Sequence, residues 1–352
     1  MKDECLTVIF PSSPAGRSEE SLAEALQGLK TRRITEISPE TPLQGSRLLF
    51  VLTLDDAGIT PELLNILRVL RSALHLLDGS VGGVAGDGSG DLSTKSAARD
   101  LVFAANRAGC TFIGRPLVEA TGDLHNFTVQ AQTAGCSLGA AHRLALRSLA
   151  ERILAFSPPR HDHPKLLALH ASNRRTSNTM ALWTRVRAGL PDCFSVREIG
   201  LRNGMLEDCA GCPYTTCLHF GEAGSCFYGG VIVEEVYPAV READAVLLIC
   251  PNYNDALAAN LTACINRLTA LYRTTPFTDK ALLGIVVSGY SGGDIVSSQL
   301  IGALCINKGF WLPPRFCMLE TANDAGTAVK LPGIDHRLSA YSASIVEALC
   351  GA

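Results

Sequence analysis

The chain of 352 residues passes through one order of elements twice, and this duplication constrains its fold more than any other feature. In the first half, strand-like LTVIF (6–10) leads through PSSPAGRSEE to a helix pattern at 21–29. RRITEI ends at Ile37, and LLFVLTL (48–54), a helix at 61–76 and VGGVAGDGSGD (81–91) follow. A helix to Ala108, TFIGRPLVEA (111–120) and a closing helix at 142–156 complete that half. The second half repeats the order: LLALHA from Leu166, a polar loop, a helix, FSVREI (194–199), AVLLICPNYND (245–255), and a helix at 256–272. LLGIVVSGYSGGD (282–294), a helix to Lys308, PRFCMLETA (314–322) and a helix at 336–349 end the chain. Between the halves, Ser157-Pro158-Pro159-Arg160-His161-Asp162-His163-Pro164 reads as a linker, because its three prolines can neither continue a helix nor pair in a central strand.

Apolar strand runs that alternate with helix-period segments predict parallel sheets with helices on both faces. Five strands per half fit the doubly wound, flavodoxin-like order 2-1-3-4-5. In that order a ligand sits at the carboxyl ends of the strands, where the direction of winding reverses. The loops after strands one, three and four should therefore carry a site. In the second half they have the chemistry for one. The loop after strand one is ASNRRTSNT, with no acid in it, and it runs into a helix whose first N–H groups lack partners and carry partial positive charge. Ser172, Thr176, Ser177 and Thr179 offer hydroxyls, Asn173 and Asn178 amides, and Arg174 and Arg175 charge, so the loop reads as an anion or phosphate socket. The loop after strand three, Cys250-Pro251-Asn252-Tyr253-Asn254-Asp255, combines a shaped turn, an aromatic ring and amides. The loop after strand four, Ser288-Gly289-Tyr290-Ser291-Gly292-Gly293, lets backbone approach a planar ligand.

The first half lacks this chemistry. Its first loop is SSPAGRSEES, which brings Glu19 and Glu20 to where Asn178 and Thr179 stand in the second half, and carboxylates there repel phosphate. Its third loop contains Asp55 and Asp56 and has no Pro-Asn-Tyr. Residues 1–157 therefore read as a degenerate copy that kept the fold without a cofactor, and 165–352 as the ligand-binding copy. The second copy also contains an insertion, because the gap between strands two and three is about forty residues rather than about ten. Within it, at about 203–230, lie Cys209, Cys212, Cys217 and Cys226, four of the thirteen cysteines. The other nine are scattered singly, several of them in apolar segments, and read as buried thiols. Four thiolates at short spacing fit either a cubane iron–sulfur cluster or tetrahedral zinc, and structural or redox-active thiols remain a third reading.

Charged residues make up 18% and the net charge is −3, which gives no basic footprint for nucleic acid or an anionic membrane surface. No apolar run reaches bilayer length, and MKDECLTVIFPSSP has too short an apolar core for a signal peptide, so a cytoplasmic location is expected.

The second half resembles the NAD(P)H-dependent FMN reductase group of flavodoxin-like proteins, especially the iron–sulfur flavoproteins, over about 165–333. ASNRRTSNT corresponds to that group's GSPRxxGNT loop, and CPNYNDALAANLTACINR (250–267) to its SPVYxxxxxAxLKxxxDR segment. The spacing Cys209-x2-Cys212-x4-Cys217-x8-Cys226 stands where iron–sulfur members carry a compact cysteine motif, with longer intervals before the third and fourth cysteines. The resemblance implies an FMN phosphate on Ser172, Arg174, Ser177, Asn178 and Thr179. It implies an isoalloxazine against Pro251, Asn252, Tyr253, Asn254 and Asp255 and against Ser288, Gly289, Tyr290 and Gly292. Tyr253 or Tyr290 could stack on the ring. It further implies a [4Fe–4S] cluster on the four cysteines, with zinc or no metal as alternatives. The donor would be NAD(P)H or a ferredoxin and the acceptor a small molecule. The assembly would be a homo-oligomer, or a pseudo-dimer within one chain. Two rival readings stay open: a cluster-free NAD(P)H:FMN or quinone reductase, and a non-enzymatic flavodoxin-like electron carrier or scaffold.

Overall fold

The computed structural model describes residues 5–10, 17–172, 176–202, 204 and 206–351. It forms two compact units, Met1–Ser157 and Pro158–Ala352. The first contains β1 (Leu6–Ile9), α1 (Arg17–Ala25), β2 (Thr31–Ile34), β3 (Arg47–Thr53), α2 (Pro61–Ser72) and β4 (Val81–Gly88). It continues with α3 (Thr94–Arg107), β5 (Thr111–Thr121), α4 (Thr128–Ala134) and α5 (Leu138–Ala155). Its sheet is ordered β2-β1-β3-β4-β5, and every pair is parallel. The second unit contains β6 (Lys165–His170), α6 (Asn178–Ala188), β7 (Ser195–Gly200), α7 (Tyr214–Glu222), α8 (Tyr237–Glu242) and β8 (Ala245–Pro251). Then follow α9 (Ala259–Tyr272), β9 (Ala281–Ser288), α10 (Gly293–Leu300), β10 (Cys317–Thr321) and α11 (Ile334–Cys350). Its sheet, β10-β9-β8-β6-β7, is the same 2-1-3-4-5 winding, again all parallel. The protein thus has two tandem flavodoxin-like folds.

The central strands are the longest apolar runs because helices cover both of their faces. All eight residues of β9 are buried, as are six of seven in β3 and in β8. The edge strands differ. β2, TRRI, has three exposed residues, and its arginines blunt a free edge. β7 alternates exposed and part-buried positions over its first four residues and then buries Ile199. Helix starts follow local chemistry. Thr60 caps α2 ahead of Pro61, Ser137 caps α5, and Ser177 caps α6, each hydroxyl accepting a backbone N–H.

The two units repeat even an irregularity. Arg115 in β5 and Arg315 just before β10 both take φ +53°, a left-handed conformation rare outside glycine. In the first unit it accompanies a register shift between Gly82 and Val84 of β4.

Several element boundaries differ from the sequence pattern, for local reasons. The helix expected from residue 256 starts at Ala259, because Asn254 and Asp255 turn the chain back and Tyr253 and Ala256 bond each other. The helix expected to reach Lys308 is regular only to Leu300 and then widens into a π turn over Ile301–Ile306. The helix after Gly230 opens with a π turn, Ile232–Val236, before Pro238 in the first turn of α8. Proline lacks an N–H and crowds the carbonyl four residues back, so a widened turn ahead of it removes the conflict. The helices α4 and α7 have no counterpart in the expected pattern.

Candidate functional site

The winding order puts the carboxyl ends of β6, β8 and β9 side by side, and the polar loops leave from there. Ser172 is buried at the end of the first loop's described part. Arg174, with Asn173 and Arg175, lies outside the described residues. Ser177 caps α6, its Oγ accepting from Met180 N at 3.3 Å. Thr179 is 1% exposed, and its hydroxyl lies 2.7 Å from Ser177 Oγ and 3.5 Å from Ser172 Oγ. Three hydroxyls therefore cluster at the N-terminus of α6, where helix N–H groups face outward. Thr176 is exposed beside them.

Asn178 also has an anchoring task. Its Nδ2 donates to Ala322 O at 3.2 Å and Asp324 O at 2.8 Å, and its Oδ1 accepts from Gly326 N at 2.8 Å and Ala328 N at 3.3 Å. The side chain therefore holds the loop after β10 against the start of α6. Sequence reasoning put Asn178 among the phosphate donors and had no signal for this anchoring role.

The second and third loops are tied together. Asn252 Nδ2 donates to Asp255 Oδ1 at 3.2 Å, to Ser288 Oγ at 3.1 Å and to Ser291 O at 3.0 Å. Its Oδ1 is buried with no hydrogen-bond partner among the described residues. Asn254 and Asp255 take φ +54° and +56°, as in a hairpin-type turn with two left-handed residues. Two adjacent non-glycine residues in that region carry strain of the kind that collects at binding sites. Gly292 (φ +87°) caps α10, and a Cβ there would collide with Asp255 Oδ1 and lie 2.8 Å from Asn252 Nδ2. Only glycine lets the two loops approach so closely. Tyr253 and Tyr290 are 62% and 82% exposed, so each presents a free ring beside the crevice. Pro251 and Gly289 are half-buried at the strand ends, and Ser288 is buried.

The corresponding place in the first unit is filled by its own side chains. Arg17, at the start of α1, pairs with Asp87 at the end of β4 and donates to Gly122 O at 2.5 Å and Gly88 O at 3.3 Å. Ser18 Oγ donates to Asp87 Oδ2 at 2.6 Å. Behind them His142 is 3% exposed, against the Phe127 ring at 5.2 Å, and its Nδ1 has no partner among the described residues. Burial pushes the His142 pKa down to about 4.

The four clustered cysteines converge. Cys209, Cys212, Cys217 and Cys226 line one cavity with about 540 Å³ of space free of atoms, part of it open to solvent. Phe220, Phe227, Tyr228 and, from α9, Asn266 and Arg267 also line it. Among the described residues, no group of three His, Cys, Asp or Glu side chains is placed to hold a metal ion. Cys212 Sγ lies 3.8 Å from Tyr228 Oη, and Arg273 Nη2 donates to Cys217 Sγ at 3.8 Å. The Arg267 guanidinium lies 5.8 Å from the Tyr228 ring. Arg267 closes the CPNYNDALAANLTACINR segment, so the sequence contained it, but nothing in the sequence placed it beside the cysteines.

With this geometry in view, the relations of the chain are clear in part. Residues 164–324, within the second unit, match the NADPH-dependent FMN reductase family. Among solved structures, the chain is similar to an NAD(P)H:quinone oxidoreductase from Methanothermobacter marburgensis: 15% identity, 51% of this chain and 95% of that one, TM-score 0.40. It is also similar to an azoreductase from Bacillus anthracis str. Sterne: 14% identity, 52% and 98% covered, TM-score 0.36. No curated protein sequence matches it. Among the described residues, no helix is long and apolar enough to cross a membrane.

Proposed function

We propose that the second unit binds FMN in the crevice formed by Ser172, Thr176 to Thr179, Pro251 to Asp255 and Ser288 to Gly292. In this reading it passes electrons from NAD(P)H to a small acceptor. The observation that carries this reading is Asn252. Its amide ties two loops together, while its buried Oδ1 has no donor among the described residues, as expected where a ligand N–H belongs. The hydroxyls of Ser172, Ser177 and Thr179, with the N-terminus of α6, would bind the phosphate. Tyr253 and Tyr290 would cover a ring face, and the strained turn at Asn254 and Asp255 would present backbone N–H groups to the ring edge. Bound FMN supplies the hydride and single-electron chemistry; the chain orients it and keeps water from its inner face. The test is the visible spectrum of the purified protein, followed by NADPH oxidation with a soluble quinone. A colourless protein that takes up no added FMN would overturn this proposal.

The first unit, in the same reading, is a cofactor-free copy. The Arg17–Asp87 pair already neutralises the position a ligand charge would need.

One observation favours the iron–sulfur form over a cluster-free reductase. Four thiols line one cavity, the ligand number a [4Fe–4S] cluster takes, although among the described residues no group of three such side chains is placed to hold a metal ion. Cys209, Cys212, Cys217 and Cys226 would hold the cluster, which would add one-electron exchange beside the flavin, with NAD(P)H or a ferredoxin as donor. Iron, sulfide and zinc analysis after anaerobic purification separates the two forms.

A further inference from the structure

The cysteine cavity has a cationic wall. Arg267 is 2% exposed, so its charge is out of water. Its Nη1 donates to Glu207 O at 3.2 Å and its Nη2 to Gly229 O at 2.5 Å, while its buried Nε has no partner among the described residues. Arg273 stands six residues further along the chain, just past the end of α9. It donates to Cys217 Sγ at 3.8 Å, and its own buried Nε is also without a partner among the described residues. The fold makes room for it: a Cβ at Gly221 of α7 would lie 2.6 Å from Arg273 Cδ. Among the described residues, neither guanidinium meets a carboxylate. Arg267 is buried and Arg273 half-buried; a cation buried without an anion, as Arg267 is, is costly, and it persists where an anion is to be supplied. Four thiols are neutral when protonated and bring no such charge. Four metal-bound thiolates outweigh the charge of an iron–sulfur core, so the assembly is anionic and becomes more so by one charge on reduction. Tyr228 adds a donor: opposite a Cys212 thiolate, the phenol O–H is the only group of that pair able to donate.

We propose that Arg267 and Arg273, projecting from and just beyond the helix that follows the second flavin-site loop, neutralise an anionic cluster on the four cysteines. By favouring its reduced form they set its reduction potential. The inference rests on the iron–sulfur reading above. It goes beyond it by naming residues outside the cysteine motif that determine the potential. The physics is the general dependence of cluster potential on nearby charge and on hydrogen bonds to sulfur.

The experiment uses the full chain, purified without oxygen and reconstituted with ferrous iron and sulfide. Iron and sulfide are counted, and the cluster is titrated with dithionite while electron paramagnetic resonance follows the reduced form. Arg273→Gln should bind as much iron as the parent and have a lower potential. The reduced-to-oxidised ratio at a fixed potential should fall about tenfold, which for a one-electron couple is a shift of about 59 mV. Arg273→Lys, which keeps the charge, should recover most of that shift. An unchanged potential in an iron-replete, normally melting Arg273→Gln variant overturns the role of the arginines and leaves the cluster standing. A parent chain that retains no iron after reconstitution overturns the cluster and this inference with it.

Discussion

Asn178 offers the most direct test of how the second unit is assembled. Its amide makes four hydrogen bonds to the loop 322–328, two as donor and two as acceptor, at 2.8 to 3.3 Å. Asn178→Ala removes all four. At roughly 0.5–1.5 kcal/mol net for each bond, and with the site only half-buried, the loss should be about 2–3 kcal/mol. For a unit of this size that lowers the melting temperature by about 5–10 °C. Asn178→Asp is the sharper variant. It keeps the acceptor for Gly326 N and Ala328 N but sets a carboxylate against Ala322 O and Asp324 O, so it should be no more stable than alanine. The assay is intrinsic fluorescence during urea unfolding. The chain has two tryptophans, Trp183 and Trp311, both buried in the second unit, so the signal reports that unit alone. If Asn178→Ala lies within about 0.5 kcal/mol of the parent, or Asn178→Asp is as stable as the parent, the loop is held by something else.

The remaining predictions concern the crevice and the first unit. Gly292→Ala forces a left-handed alanine into Asp255 and Asn252, and should destabilise the second unit by about 1–2 kcal/mol from the backbone alone. It should also weaken FMN binding, measured by flavin fluorescence quenching; unchanged affinity would argue against a flavin between these two loops. The buried His142 titrates at about 4 in the folded first unit and near 6.5 when unfolded, so between those values the unfolded state holds more protons. Stability of the first unit should be full above about pH 6.5 and decline as the pH falls towards 4. His142→Phe should flatten that decline when unfolding is followed by circular dichroism; an identical slope would place the titrating group elsewhere.

The sequence determined the two sheets. Parallel strands covered on both faces must be apolar throughout, so β3, β8 and β9 were visible as runs. Alternation with helices then fixed the winding and which loops share the carboxyl edge. For the same reason the loops beginning at Ser172, Pro251 and Ser288 could be read as one site. The sequence also marked the two edges less clearly: RRITEI suggested a longer strand than β2, since exposed edge positions carry no apolar signal. What only the tertiary structure decided is the partner of each polar side chain. Asn178 is spent on carbonyls up to 146 residues away, and the Arg17–Asp87 pair spans 70 residues. Arg267 and Arg273 face cysteines from another segment altogether. A hydrogen bond or charge pair depends on which loops the fold brings within about 3 Å, and that distance is a property of the packed chain rather than of any local pattern.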